Sequence, residues 1–415
     1  MEHDKMLSPY RVLDLTEGGC MVGGKILADL GADVIRIEPP RGSASRNIGP
    51  FYKDDPNPEK SLFWFAYNTN KRGITLDLHT PDGQGLFREL TNTSDIILEN
   101  FEPGFLDELG LGYDSLCNIK PGIILTSISA FGQTGPKAHY KATELISWAS
   151  GGTLYTMGDP DRPPTRISFP QAFLHGGNVG AAASLFALWH RIVTGEGQHV
   201  DVSIQQYLIW ITMFTVGLWE CYQYDLPRGG YGWNVLGLTG KIGYEARDGW
   251  VTLLFGGGAA ASMRESAEAL VKWMDEEKVC PDWLKQLDWK TEYDMFNEPL
   301  VEKVRAQISN FIISKNKSEL YEEAKKRNIL LAPVATVEDI WNNDQCRARE
   351  YWTTVQHPEL NDTIPYCGPF AKCSEAPVRV ETRAPLIGEH NHDVYQKELG
   401  IPENTLNRLH QLGVI

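Results

Sequence analysis

The sequence predicts a parallel α/β fold joined to a smaller α+β domain. Three observations carry this. In the first half of the chain, short β-branched runs alternate with helical patterns. Around Tyr222–Gly240 the composition shifts to Gly, Pro, Trp and Tyr, as at a domain crossing. The length of 415 residues, with 42% hydrophobic and 22% charged content, is enough for a large core and two domains.

Arg11–Leu15 reads as the first strand, followed by a Gly-rich turn and a helix near Lys25–Leu30. Val34–Ile37, Ile74–Leu76, Ile96–Leu98 and Ile123–Ile128 read as further strands, with a helix at Gly83–Leu90. Gly180–Arg191 is Ala-rich and helical, and His199–Ser203 reads as one more strand before an apolar helix. Past the composition shift, Lys241–Glu245 and Trp250–Leu254 read as a hairpin with Arg-Asp-Gly at its turn. Helices are expected near Ser262–Glu277, Leu300–Ser314 and Ser318–Arg327, then a return strand at Leu330–Ala335. The large domain is therefore expected over residues 1–222, the small domain over 223–329, and a return to the large domain over 330–415.

The net charge of -15 argues against nucleic acid as a partner, because phosphate neutralisation needs clustered Lys and Arg. The seven Cys residues include no CxxC pair, so no metal centre is expected and the thiols read as free. The first residues, Met-Glu-His-Asp-Lys-Met, lack the apolar core of a signal peptide. The longest apolar run, Tyr207–Trp219, is shorter than the roughly 20 residues of a membrane span. A cytoplasmic protein without a membrane span is expected, with a core helix at that run.

Glu17-Gly-Gly-Cys-Met-Val-Gly-Gly24 invites a dinucleotide reading, with Glu38 ending the second strand where a ribose-binding acid would sit. The spacing is not G-x-G-x-x-G, and the nicotinamide reading is not adopted. Other segments are more specific. Leu30-Gly-Ala-Asp-Val-Ile-Arg-Ile-Glu-Pro, Asn70-Lys-Arg, Glu99-Asn-Phe-Glu-Pro-Gly104 and Ile128-Ser-Ala-Phe-Gly-Gln-Thr-Gly-Pro136 follow one another in a fixed order. So do Ser150-Gly-Gly-Thr-Leu and the stretch Ala187-Leu-Trp-His through Thr194-Gly-Glu-Gly-Gln198. This set closely resembles the family III CoA-transferases (CaiB/BaiF), the group containing formyl-CoA transferase and carnitine CoA-transferase.

The resemblance implies a Rossmann-like large domain, a small domain, and two chains threaded through one another as interlocked rings. It implies acyl-CoA as substrate, and an Asp that attacks the thioester to give a mixed anhydride. Counted back without gaps from Thr194-Gly195, that Asp falls on Phe173. No Asp or Glu lies between Ile167 and Gly180, and the nearest acids on either side, Asp161 and Glu196, belong to other recognisable segments. Gln171 and His175 are the polar side chains nearest the position, apart from Asn178. Against the racemases of the same family, Ala142 stands where their His would be. Glu144 is an acid in the same region, either a catalytic carboxylate or a hydrogen-bonded helix-start residue.

For CoA itself, the resemblance places Lys71, Arg72, Asn100 and Lys141 as retained contacts. Relatives carry Arg where this chain has Glu102 and Glu108, and some carry Arg where it has Pro39. These exchanges remove charge-assisted bonds to the CoA phosphates. Gly229, Gly230 and Gly232 match a mobile glycine loop that serves as a lid over the reacting centre. Together these features imply a chain without a catalytic residue of its own. A homologous partner subunit would carry the Asp nucleophile and hold most of the CoA. Two other readings stand beside it: a homodimeric transferase or epimerase with a relocated residue such as Glu144 or His175, and an acyl-CoA binding or regulatory protein.

Overall fold

The computed structural model describes residues 5–235, 238–257, 260–294 and 297–415. Six parallel strands form its main sheet. They are β1 (Arg11–Asp14), β2 (Asp33–Glu38), β3 (Arg72–Thr75), β4 (Ile96–Glu99), β5 (Ile124–Ser129) and β6 (Gln198–Ser203), in the spatial order β3-β2-β1-β4-β5-β6. This is the order of the doubly wound nucleotide-binding sheets, and it reverses between β1 and β4.

The inner strands bury both faces, β4 and β5 throughout, whereas the edge strand β6 leaves His199 and Asp201 exposed. One face carries Val12, Val34, Ile96 and Ile124, packed with Leu27, Ala181 and Leu188 of the helices Met21–Asp29 and Ala172–Thr194. The other carries Leu13, Ile35, Ile74 and Ile97 against Leu86, Phe87 and Leu90 of the helix Pro81–Asn92. That last helix starts where its sequence says it should. Thr80 caps the Gly83 N–H at 3.0 Å and Pro81 fills the first helical position.

The chain separates into two units. The larger comprises Met1–Thr153, Ile167–Thr212 and Asp344–Ile415; the smaller comprises Leu154–Arg166 and Met213–Asn343. These bounds replace the expected ones at 222 and 329. In the smaller unit, β7 (Gly232–Val235) pairs with β8 (Leu238–Lys241). The predicted hairpin forms as β9 (Gly243–Ala246) and β10 (Gly249–Leu253). The strand at Leu330–Ala335 does not return to the large unit. As β11 (Leu331–Pro333) it pairs antiparallel with β10, Thr252 opposite Ala332, so the smaller unit continues to Asn343. Its core is Tyr244, Val251, Leu270, Trp273, Ile308 and Phe311, from this sheet and the helices Ala261–Glu276 and Glu298–Ile313. A last hairpin, β12 (Trp352–His357) with β13 (Asp362–Cys367), belongs to the larger unit.

The apolar run Tyr207–Trp219 is not the core helix expected of it. It forms parts of two short helices, Ile204–Ile211 and Met213–Tyr222, broken at Thr212. Trp210 in the larger unit is 60% exposed, and Met213, Phe214, Val216 and Trp219 in the smaller unit are exposed as well. Among the described residues no helix is long and apolar enough to cross a membrane, and no group of His, Cys, Asp and Glu is placed to hold a metal ion. None of the seven cysteines forms a disulfide.

Candidate functional site

The reversal of strand order between β1 and β4 opens a crevice at the carboxyl ends of the strands, where open α/β sheets bind ligands. The turn after β1 is fixed there by buried charge. Arg36 on β2 donates to the carbonyls of Asp14, at 3.2 Å, and of Thr16, and pairs with Glu17 at 2.7 Å. Asn100, just past β4, joins the two sides of the crevice. Its Oδ1 accepts the Glu17 N–H at 2.8 Å and its Nδ2 donates to the Glu17 carbonyl at 3.2 Å.

Phe173 lies in this crevice, in the first turn of the long helix Ala172–Thr194. The turn after β1 passes so close that a Cβ on Gly19 would stand 2.8 Å from the Leu174 nitrogen, which is why glycine is required there. Cys20 Sγ donates to the Phe173 carbonyl at 3.5 Å, and burial holds this thiol far above its ordinary pKa, inert rather than nucleophilic.

The long helix has no side-chain cap from its own N-cap residue, Gln171. Glu144, 27 residues earlier, supplies one. Its Oε1 accepts the Gln171 N–H, the Ala172 N–H at 2.7 Å and the Trp148 indole N–H at 2.8 Å. A carboxylate at a helix start satisfies unpaired N–H groups and complements the dipole. His175, one turn on, packs 6.0 Å from Trp148 and 5.6 Å from Tyr207, and burial lowers its pKa against the opposing pull of Glu144.

Two cavities adjoin at Phe101. One, of 240 Å³, is bordered by Asn100, Glu102, Ser129, Lys141, Ala142 and Phe173. The other, of 350 Å³, lies over the ends of β1, β2 and β3 and is bordered by Glu17, Glu38, Pro39, Asp77 and His79, with neither lysine nor arginine among its described lining residues. Glu102 faces Lys141 at 3.6 Å, and Glu108 is exposed at the end of the short helix Phe105–Glu108.

Of the four residues expected to touch CoA, Asn100 and Lys141 reach the cavity beside Phe173. Lys71 and Arg72 do not, and that expectation is corrected. Lys71 is 2% exposed, and its ammonium spends all three protons internally: Asp14 at 2.8 Å, the Met21 carbonyl at 2.8 Å and Asn68 at 2.9 Å. Burial pulls its pKa down to about 8, while Lys71 and Arg36 together outweigh burial at Asp14 and hold that carboxyl below its usual range. Arg72 stands at the opposite, amino edge of the sheet, held by Asp33 at 2.7 Å and Glu398 at 2.5 Å. The glycine loop is pinned within the smaller unit. Gly230 N–H donates to the Gly158 carbonyl at 3.1 Å, and with φ of +60° and Asp159 Oδ1 only 2.8 Å from where a Cβ would lie, position 230 demands glycine.

Sequence reasoning did not single out Ser129 or Glu99. Both end parallel strands at the crevice, and a polar residue closing an apolar strand run is the signal that could have found them. Glu99 is 5% exposed; burial pushes its carboxyl up to about 7, against hydrogen bonds from Ser127 and the Phe101 N–H. Folding thus favours its protonated form, so its contribution to stability is complete below about pH 4.5 and is lost as the pH rises past about 7. Glu99→Gln is expected to remove this dependence. Between pH 5 and pH 8 the variant should gain about 2–3 kcal/mol on the parent in urea denaturation. Parallel pH profiles for the two proteins would contradict the assignment.

The pattern of CoA-transferase family III matches residues 7–391. The chain is 31% identical to the BbsE subunit of succinyl-CoA:(R)-benzylsuccinate CoA-transferase of Thauera aromatica, over 98% of each chain. It is also 31% identical to formyl-CoA:oxalate CoA-transferase of Streptomyces coelicolor, over 99% of each. The crystal structure of a CAIB/BAIF family protein from Brucella suis superposes with a TM-score of 0.80 at 26% identity, covering 95% of this chain and 99% of that one. With a nucleotide-binding sheet order, a crevice where it reverses and the family's motifs set around that crevice, the chain is a member of CoA-transferase family III.

Proposed function

We propose that this chain is the non-catalytic subunit of a hetero-oligomeric CoA-transferase. The complex moves CoA from an acyl-CoA such as succinyl-CoA to an organic acid, and a homologous subunit supplies the attacking Asp and most of the CoA site. The observation that carries this reading is Phe173. It occupies the start of the long helix where the family resemblance puts the nucleophile, and a phenyl ring can form no anhydride. The cavity over β1, β2 and β3 supports it, since three carboxylates and no cation suit CoA phosphates poorly. (R)-Benzylsuccinate, the acid of anaerobic toluene degradation, is the proposed acceptor, because the BbsE relative is named for it. A cytoplasmic location fits these substrates.

The partner has a surface to meet. Phe186 and Trp189 on the outer side of the long helix are 75% and 68% exposed, with Ile192 and Val193 beside them. The opposite side of that helix is buried in its own chain through Ala181, Ser184, Ala187 and Leu188. A helix apolar on every side belongs in an interior, so its outer side is assigned to the homologous subunit.

One rival has an observation behind it. Glu144 Oε2 is buried without a hydrogen-bond partner, which leaves one carboxylate oxygen unengaged, although three donors hold the other. The test separates the two. The chain alone, the partner alone and the mixture are assayed for CoA exchange between succinyl-CoA and the acid. Activity is expected in the mixture and not in this chain, and Phe173→Asp is expected not to confer it, because the CoA site has changed as well. Turnover by this chain alone, abolished by Glu144→Gln, would establish the rival.

A further inference from the structure

The 240 Å³ cavity is more than a vacated corner. Its floor carries an unanswered polar group. Ser129, the last residue of β5, is 8% exposed and its hydroxyl has no hydrogen-bond partner. A buried hydroxyl without a partner is destabilising, so its presence calls for a bound group. Phe101, Ile128, Ala130 and Phe173 give it apolar walls, and Asn100, His139 and Tyr140 add polar lining. Only the rim is charged, through Lys141 and Glu102. That pair is 3.6 Å apart and both members are well exposed, so it is weak and easily exchanged for another anion. The long helix begins at the same cavity with its positive end, and no acidic residue lies in its first turn. Glu144 already occupies the Gln171 and Ala172 N–H groups; of the donors that line the cavity, Ser129 is the buried one without a partner and Lys141 the cationic one.

From this arrangement we infer that the cavity is a non-covalent site for a free carboxylic acid with a short apolar body. The carboxylate bridges the Ser129 hydroxyl and the Lys141 ammonium, displacing Glu102 from Lys141, and the apolar body lies between Phe101 and Phe173. The site takes the free acid rather than its CoA ester, because the adjoining cavity offers the nucleotide no cation. This inference rests on the reading of the chain as a subunit without a nucleophile. In that setting it gives the subunit a ligand of its own, bound and released unchanged.

The test is calorimetric titration of the full chain, alone and with its partner, using 3-phenylpropanoate as the probe. Its neutral amide, 3-phenylpropylamine and 3-phenylpropanoyl-CoA serve as comparisons. Saturable binding of the acid is expected, weakened about tenfold or more by Ser129→Ala and by Lys141→Gln and by replacing the acid with the amide. Absence of binding, binding indifferent to both substitutions, or tighter binding of the amine or the CoA ester would each overturn the site. The parent reading fails differently, through CoA exchange by the isolated chain. Such turnover together with loss of acid binding in both variants would retain the site and remove that reading. No turnover with no acid binding would do the reverse.

Discussion

Replacing Phe186 by glutamate and Trp189 by aspartate together is expected to leave the chain folded and to separate it from the proposed partner subunit. The two residues are one helical turn apart and point away from their own core, so folding loses little by the exchange. An assembly interface loses much more. Large aromatic side chains at the centre of an interface contribute about 2 kcal/mol or more each, and two of them correspond to roughly a thousandfold in the dissociation constant. Light scattering of the mixed subunits should therefore report separate chains at micromolar concentration, with an unchanged melting temperature for the isolated variant. CoA exchange by the mixture should fall in proportion to the complex lost. An intact complex in the double variant would remove this helix face from the interface.

Lys71→Ala is expected to cost about 3–5 kcal/mol of folding stability, the largest single-residue effect of those considered. The side chains of Lys71 and Asp14 are both fully buried, and removing the ammonium leaves the Asp14 carboxylate without its 2.8 Å partner. Asn68 and the Met21 carbonyl lose a donor as well. Urea denaturation reads the loss directly. The exposed Lys141→Ala, by contrast, should stay within about 0.5 kcal/mol of the parent. CoA exchange per folded complex should be unaffected by Lys71→Ala. A variant as stable as the parent but defective in exchange would return Lys71 to the substrate site.

What a local pattern determines was legible in the sequence. The strands of the main sheet are short β-branched runs, and all six were recognisable, as was the hairpin of β9 and β10. What depends on distant segments was not. Lys71 looks like a free cation until Asp14, 57 residues away, is brought against it. Arg72 is matched by Glu398, 326 residues away. The strand at Leu331 finds its partner 80 residues earlier, and no periodicity says which sheet it will join. Tyr207–Trp219 departs from the expected core helix for a related reason. Hydrophobicity reports that a segment must be covered, without saying whether its own chain or another does the covering. At the crevice, the sequence places Phe173 by position alone, whereas the unpartnered hydroxyl of Ser129 needs the walls around it.

The link from Glu144 to the long helix bears on how two such subunits can differ. The negative charge at the helix start comes from Glu144, outside the helix, and not from the side chain at position 173. Chemistry and architecture are thereby assigned to separate side chains at one spot. Under the proposed division of roles, a phenyl ring at position 173 leaves this link from Glu144 in place. Two copies of the same frame can then divide labour, one reacting and the other shaping the assembly, at the expense of very few substitutions.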